Sequence, residues 1–415
     1  MARLFVLLTL IASVVFCSLA AAQQFQLPNP PGFVNVKAYG AACDGTTDDT
    51  ANIRAAVAAA GGATLVAPFT VTSILVIPGK CLVTGTITIR NAAQQNYPFV
   101  IQCSGGGAGL FWGGIDNTGP LLTLGDSTFV TQDGPFDVRD CYFNGIVGHK
   151  PSIAVYLAMD NNSSFVEGTI GASNALIYAG IKCGNTCLLT KIDHLMFSCL
   201  TTCVDLGVNN GSYISNNNFY WCGTWCYHGA NEADALLINN YFEGNVSGAL
   251  GSVYIAGDGD RLIANTFEDQ TTAAGSGFLS VEFYVGNSLY FEGNYYVGGC
   301  GGGAGCPSYF ISLGAGGTTQ AEFHGEELGN AVGASGYMID DVGTGISTWY
   351  GGFNCTASQI WSGTQAARQS LVNACGSNYS SGNLDSFKVL NMPTACGSLA
   401  TGTLWNNSGV VNVCP

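Results

Sequence analysis

Charge is what this chain of 415 residues has least of. Only 9% of its residues are charged, and 12 Lys and Arg face 27 Asp and Glu, for a formal net charge of −15. So few cations exclude the basic footprint that nucleic acid or an anionic membrane surface requires. The same deficit argues against a polyuronate partner unless Ca²⁺ bridges the two. Long apolar runs are missing too. The longest, residues 4–16, is too short to span a bilayer, and no later segment approaches that length. Histidine is scarce, with 4 in the chain, and none stands at zinc-finger spacing from a cysteine pair. Helical patterning is largely absent after Ala60.

The early apolar run has Arg3 before it and Ala20-Ala21-Ala22 after it, the layout of a secretory signal over residues 1–22. Phe16 ahead of Cys17 is too bulky for lipoprotein processing. The mature chain therefore reads as secreted and extracellular, with no membrane insertion. Of 17 cysteines, Cys17 leaves with the signal, and the even remainder suits an oxidising compartment. On that ground Cys183/Cys187, Cys199/Cys203 and Cys222/Cys226 read as disulfide-forming rather than metal-binding. No metal ligands are assigned, and Ca²⁺ is the one cofactor left open. Glycine is abundant at 58 residues, as suits a fold with a tight turn at every corner.

Two N-terminal motifs narrow the fold. The stretch from Val34 reads as a short strand, then Tyr39-Gly40-Ala41, a tight turn at Asp44-Gly45, and Thr47-Asp48-Asp49 as candidate N-caps of an Ala-rich helix from about residue 49 to 60, stopped by Gly61-Gly62. Val76-Ile77-Pro78-Gly79-Lys80-Cys81-Leu82-Val83 follows. Together these resemble the N-terminal signature of the pectate lyase superfamily, with Cys81 where its pattern usually has Tyr. The resemblance covers residues 33–90 closely. It implies an all-β, single-stranded right-handed parallel β-helix with an N-terminal capping helix. Cys43 with Cys81 is one pairing that would staple the cap to the first coil. The expected layout is a β-helix with its cap over 23–345 and Cys-rich coils or a cap over 346–415, after the signal.

The repeat supports this independently. Phe197, Phe219, Phe242, Phe267 and Phe291 recur at steps in the low twenties, the length of one parallel β-helix coil. Stacked coils bury what one coil cannot, so these rings are expected to form an internal column, with Asn216, Asn239 and Asn265 in turns.

Strand alternation then turns the residue after each Phe outward. Glu243, Glu268 and Glu292 are expected as three rungs on one face, with Asp269 beside the middle rung. Carboxylates ~5 Å apart on adjacent coils fit a glycosidase pair. They equally fit turn chemistry, or a Ca²⁺ ladder of oxygen ligands. Trp221, Trp225, Tyr227 and His228 form an aromatic loop that either walls a glycan groove or packs on the stack, and His324 is a candidate base or sugar ligand. The polygalacturonase motifs Asn-Thr-Asp, Gly-His-Gly and Arg-Ile-Lys are absent in that form and order. Two classes remain: an exported polysaccharide hydrolase acting through two of these acids, with a Ca²⁺-dependent lyase as variant, or a non-catalytic glycan-binding or surface structural β-helix. The oligomeric state is not legible in the sequence.

Overall fold

Short strands wound in successive parallel coils make up the computed structural model, which describes residues 33–61, 73–91, 98–126, 134–158, 160–171, 176–243, 249–257, 259–268, 277–281, 288–297, 309–313, 320–328, 339–341, 346–350, 361–362, 370–372, 404–407 and 410–413. Among these residues, 21 strands join one long sheet, 11 a second and 4 a third. Between coils the ladders are parallel throughout. The antiparallel pair Leu404–Asn407 with Val410–Val413 lies near the C-terminus. Parallel pairing continues beyond residue 345, with 346–350 on 320–324 and 370–372 on 348–350.

The long sheet bends at a corner set by a two-residue device. Asp140, Glu167, His194, Asn216, Asn239 and Ala264 have φ between 53° and 57°, and Gly293 and Gly325 continue this left-handed column at 61° and 64°. After four of these positions comes an asparagine whose side chain is buried: Asn217, Asn240, Asn265 and Asn294. Each Oδ1 accepts from the coil before it, as Asn240 Oδ1 does from Asn217 N and Nδ2 (3.1 and 3.0 Å). The amide nitrogen of Asn240 donates in turn to the Ile214 carbonyl at 2.9 Å. The ladder thus satisfies polar groups that the corner would otherwise bury unpaired. Asn216 and Asn239 supply the left-handed turn rather than the ladder, because asparagine tolerates that conformation.

Inside the corner runs the aromatic column. Phe197, Phe219, Phe242 and Phe267 stack at 4.7, 4.8 and 4.9 Å between centroids. The next ring is Tyr296, 4.8 Å from Phe267, and not Phe291. Phe291 instead follows Leu237 and Leu262 in a neighbouring column and stacks on Phe323 at 4.4 Å. Each ring is fully enclosed, contributing on the order of 2–3 kcal/mol by burial alone.

The helix Thr50–Ala59 buries Ile53, Ala56 and Val57 against the first coil. Asp49 stands at its N-cap position but turns back, accepting from Ala42 N and Cys43 N at 2.6 and 2.9 Å. Asp48 accepts from Thr50 N and Oγ1 instead, at 3.0 and 2.6 Å. Disulfides join Cys43–Cys81, Cys103–Cys141, Cys183–Cys187 and Cys222–Cys226. Cys199 and Cys203, read above as disulfide-forming, are free thiols. Both lie in the core, and Cys203 Sγ faces Cys222 Sγ on the next coil at 3.4 Å rather than closing its own loop. The signal over 1–22, Asp269 and Cys355, Cys375, Cys396 and Cys414 lie outside the described residues.

Candidate functional site

The strand after the corner has three residues per coil, one pointing in and two out. In Tyr241–Glu243 and Thr266–Glu268 the central Phe is buried and its neighbours are half-buried. Parallel register pairs Glu243 directly with Glu268, on adjacent coils. Tyr241 donates its hydroxyl to Glu268 Oε2 at 2.6 Å. Burial, then the Glu268 and Glu243 carboxylates, pushes the Tyr241 phenol well above its usual range, so it stays a donor. One coil earlier Tyr220 lies in register with Glu243 and meets the Tyr241 ring edge-on at 6.4 Å. Trp221 follows, with φ 57°, 56% exposed, and its backbone N–H bonded to the Glu243 carbonyl at 3.3 Å. A bulky residue at positive φ is uncommon and marks a position held by its surroundings. Two carboxylates, a fixed phenol and an exposed indole thus gather at one edge.

Glu292 is not the third rung. It pairs with Ile263, in the strand before the corner, while Val297 takes the place above Glu268. Phe242-Glu243 and Phe291-Glu292 differ in setting: Glu292 comes two positions before ladder residue Asn294, whereas Glu243 comes three positions after ladder residue Asn240. Glu292 belongs to another group. Tyr290 donates to it at 3.1 Å, His324 lies above it in register, and the His324 ring packs at a tilt against Tyr290, 4.9 Å between centroids. His324 Nε2 is 3.4 Å from Glu322 Oε2.

The aromatic loop divides between two faces. Trp221 stays with the glutamates on the long sheet, but Tyr227–Gly229 is a strand of the second sheet. Tyr227 points into the core, fully buried, and is no part of an outer wall. His228 points outward, within a column in register on successive coils: Tyr156, Lys182, Asp205, His228 and Tyr254. Asp205 binds both neighbours, Oδ2 to Lys182 Nζ and Oδ1 to His228 Nδ1, each at 3.1 Å. Burial would raise the Asp205 carboxyl, but His228 and Lys182 outweigh it and hold it below the usual range. Tyr254 stacks on His228 at 4.9 Å, and Trp225, 9% exposed, packs against Tyr254 at 5.5 Å. The Cys222–Cys226 disulfide closes the loop that carries Trp225.

Solved structures share this architecture. The enzymatically active domain of bacteriophage CBA120 tailspike protein 2 aligns with 78% of this chain and 47% of its own, at TM-score 0.55 and 12% identity. DFA-IIIase from Arthrobacter chlorophenolicus A6 aligns with 84% of this chain and all of its own, at TM-score 0.54 and 12% identity. The A-module of Azotobacter vinelandii mannuronan C-5 epimerase AlgE4 aligns with 82% of this chain and all of its own, at TM-score 0.50 and 16% identity. The fold is the right-handed parallel β-helix that these structures share. At these identities the likeness concerns architecture alone, and the chain spans about half of the tailspike domain. No protein-family profile and no curated protein sequence matches it.

The sequence singled out Glu243, Glu268, Trp225 and His228 as candidates; the structure sets Tyr241 beside Glu268, Tyr254 beside Trp225 and His228, and Asp205 with Lys182 beside His228, none of which the sequence had named. A signal for the second face was present. Asp205 and His228 stand 23 residues apart, one coil, each between residues buried in the core or closed into it.

Proposed function

We propose that the protein is an exported polysaccharide hydrolase acting through Glu243 and Glu268. The observation that carries this reading is their direct register on adjacent coils, with the Tyr241 hydroxyl on Glu268. Register places paired side chains ~5 Å apart, the separation of a retaining glycosidase. Tyr241 donates to Glu268, which suits Glu268 to attack as a carboxylate. Glu243 then protonates the leaving oxygen and afterwards takes the proton of the incoming water. Trp221 and Tyr220 offer ring faces for a sugar beside the pair. Neighbours of the same fold named as a tailspike enzymatic domain and a mannuronan epimerase support a carbohydrate substrate. Export is supported by the four disulfides among the described residues. No described helix is long and apolar enough to cross a membrane.

The test is release of reducing ends from a panel of neutral and acidic polysaccharides by wild type, Glu243→Gln, Glu268→Gln and Glu292→Gln. Loss by about 10²–10⁴-fold is expected in the first two variants and not in the third. Unsaturated uronate products, or equal loss in Glu292→Gln, would overturn the assignment.

A further inference from the structure

Two loops of the same spacing, residues 199–203 and 222–226, lie one on the other on successive coils. Cys203 N donates to the Trp225 carbonyl, Val204 N to the Cys226 carbonyl and Gly223 N to the Cys199 carbonyl, at 3.0, 2.9 and 3.1 Å. The upper loop is closed by Cys222–Cys226, while the lower keeps both thiols. We propose that these four cysteines form an internal thiol–disulfide exchange site, in which Cys203 displaces Cys226 from Cys222 and moves the disulfide from within one loop to between the two coils. The inference goes beyond the hydrolase reading and does not rest on Glu243 or Glu268.

Geometry carries it. The Cys203 thiol points at Cys222 Sγ from 3.4 Å, inside the ~3–3.5 Å of a near-attack arrangement. A disulfide between neighbouring coils is also a bond this chain already makes, since Cys103–Cys141 joins two strands that pair directly. The step balances within the protein. The Cys203 thiolate attacks Cys222 Sγ, and the Cys203–Cys222 bond forms as Cys222–Cys226 breaks. Cys226 leaves with the electron pair and takes up the proton that Cys203 gave up. Two thiols and one disulfide stand on each side, so no oxidant or reductant enters.

The surroundings keep the reaction internal. All four cysteines are fully buried. On the coil before, Gly180 closes the floor, where a Cβ would stand 3.2 Å from Cys199 Sγ. Burial, then the hydrogen bond with Cys199, pushes the Cys203 thiol up, so it rests protonated and Cys222–Cys226 persists as the resting bond. Exchange would tie the loop that carries Trp225 to the coil beneath it and free Cys226 beside that indole.

The experiment maps the linkages of the folded full chain. Wild type, Cys203→Ala and Cys199→Ala are incubated at about pH 8, near the ordinary thiol pKa, acid-quenched, alkylated in denaturant and digested with pepsin for mass spectrometry. Thermal unfolding confirms that each variant is folded. A Cys203–Cys222 cross-link with alkylated Cys226 is expected in wild type, and alkylation of Cys226 at least tenfold lower in Cys203→Ala. Cys199→Ala should keep the cross-link, because the attacking thiol and the disulfide both remain, and it decides the matter even where Cys203→Ala does not fold. Cys222–Cys226 as the sole linkage among the four, a second disulfide Cys199–Cys203 that leaves no thiol, or equal Cys226 labelling in Cys203→Ala would overturn the proposal.

Discussion

Asn294 Oδ1 accepts from both the backbone N and the side-chain Nδ2 of Asn265, each at 2.9 Å, although 29 residues separate them. The contact holds the coil of Asn294 in register with that of Asn265. It places Phe291 and Glu292 before the corner, whereas Phe242 and Glu243 lie after it. Two look-alike stretches therefore end on different strands.

Asn265→Ala tests the ladder. It strips the acceptor from Asn240 N and Nδ2 and the donor from the Leu237 carbonyl, all in the core. At about 1–3 kcal/mol per stranded group, denaturant titration is expected to show one of the largest single-site losses in the protein. A loss under about 1 kcal/mol would mean that water replaces the amide.

Glu326 continues the ladder with a carboxyl in place of an amide, accepting from Asn294 N and Nδ2 at 3.3 and 3.2 Å. Burial pushes its pKa up to about 8 from an ordinary 4.5. A raised folded pKa makes the group's contribution complete below the unfolded value and progressively lost as pH rises through the folded one. Stability should thus fall between about pH 4.5 and 8, and Glu326→Gln should flatten that fall when Tm is followed against pH. An unchanged slope would assign the pH dependence to other groups.

The Cys43–Cys81 bond ties the segment before the helix to the first coil across 38 residues. Loop-closure entropy for that span gives about 4 kcal/mol. The Cys43→Ser/Cys81→Ser double variant is expected to lose that order of stability. Amide exchange should rise first in Thr50–Ala59, and uniform exchange across the coils would contradict a local staple.

Tyr241→Phe removes the hydroxyl on Glu268 and keeps the ring beside Tyr220. A hydrogen bond to a charged group contributes about 1.5–3 kcal/mol, so kcat on the substrate that the panel identifies should drop roughly 10- to 100-fold. KM should move little. A pure KM effect would make Tyr241 a sugar ligand rather than a positioning residue for Glu268.

Much of this protein was legible in local chemistry. The steps of 22, 23 and 25 residues between ladder asparagines and their partners follow the phenylalanine spacing, because equal coils bring like residues together. Asp44–Asp48, read as a turn, is a strand paired with Lys80–Val83, but the helix start after it was legible as well. Its bonding was not: Asp49 serves Ala42 and Cys43 rather than its own helix.

The sequence by itself determined the repeat, the corner residues and the inward phenylalanines, because these depend on neighbours along the chain. Only tertiary structure decided that Tyr296 and not Phe291 closes the aromatic column, since coils of 29 and 32 residues break the even count. It also decided that Tyr227 is core while His228 meets Asp205 and Lys182. A residue's face depends on its register with the coil below, and one inserted stretch of chain shifts that register without altering any local motif.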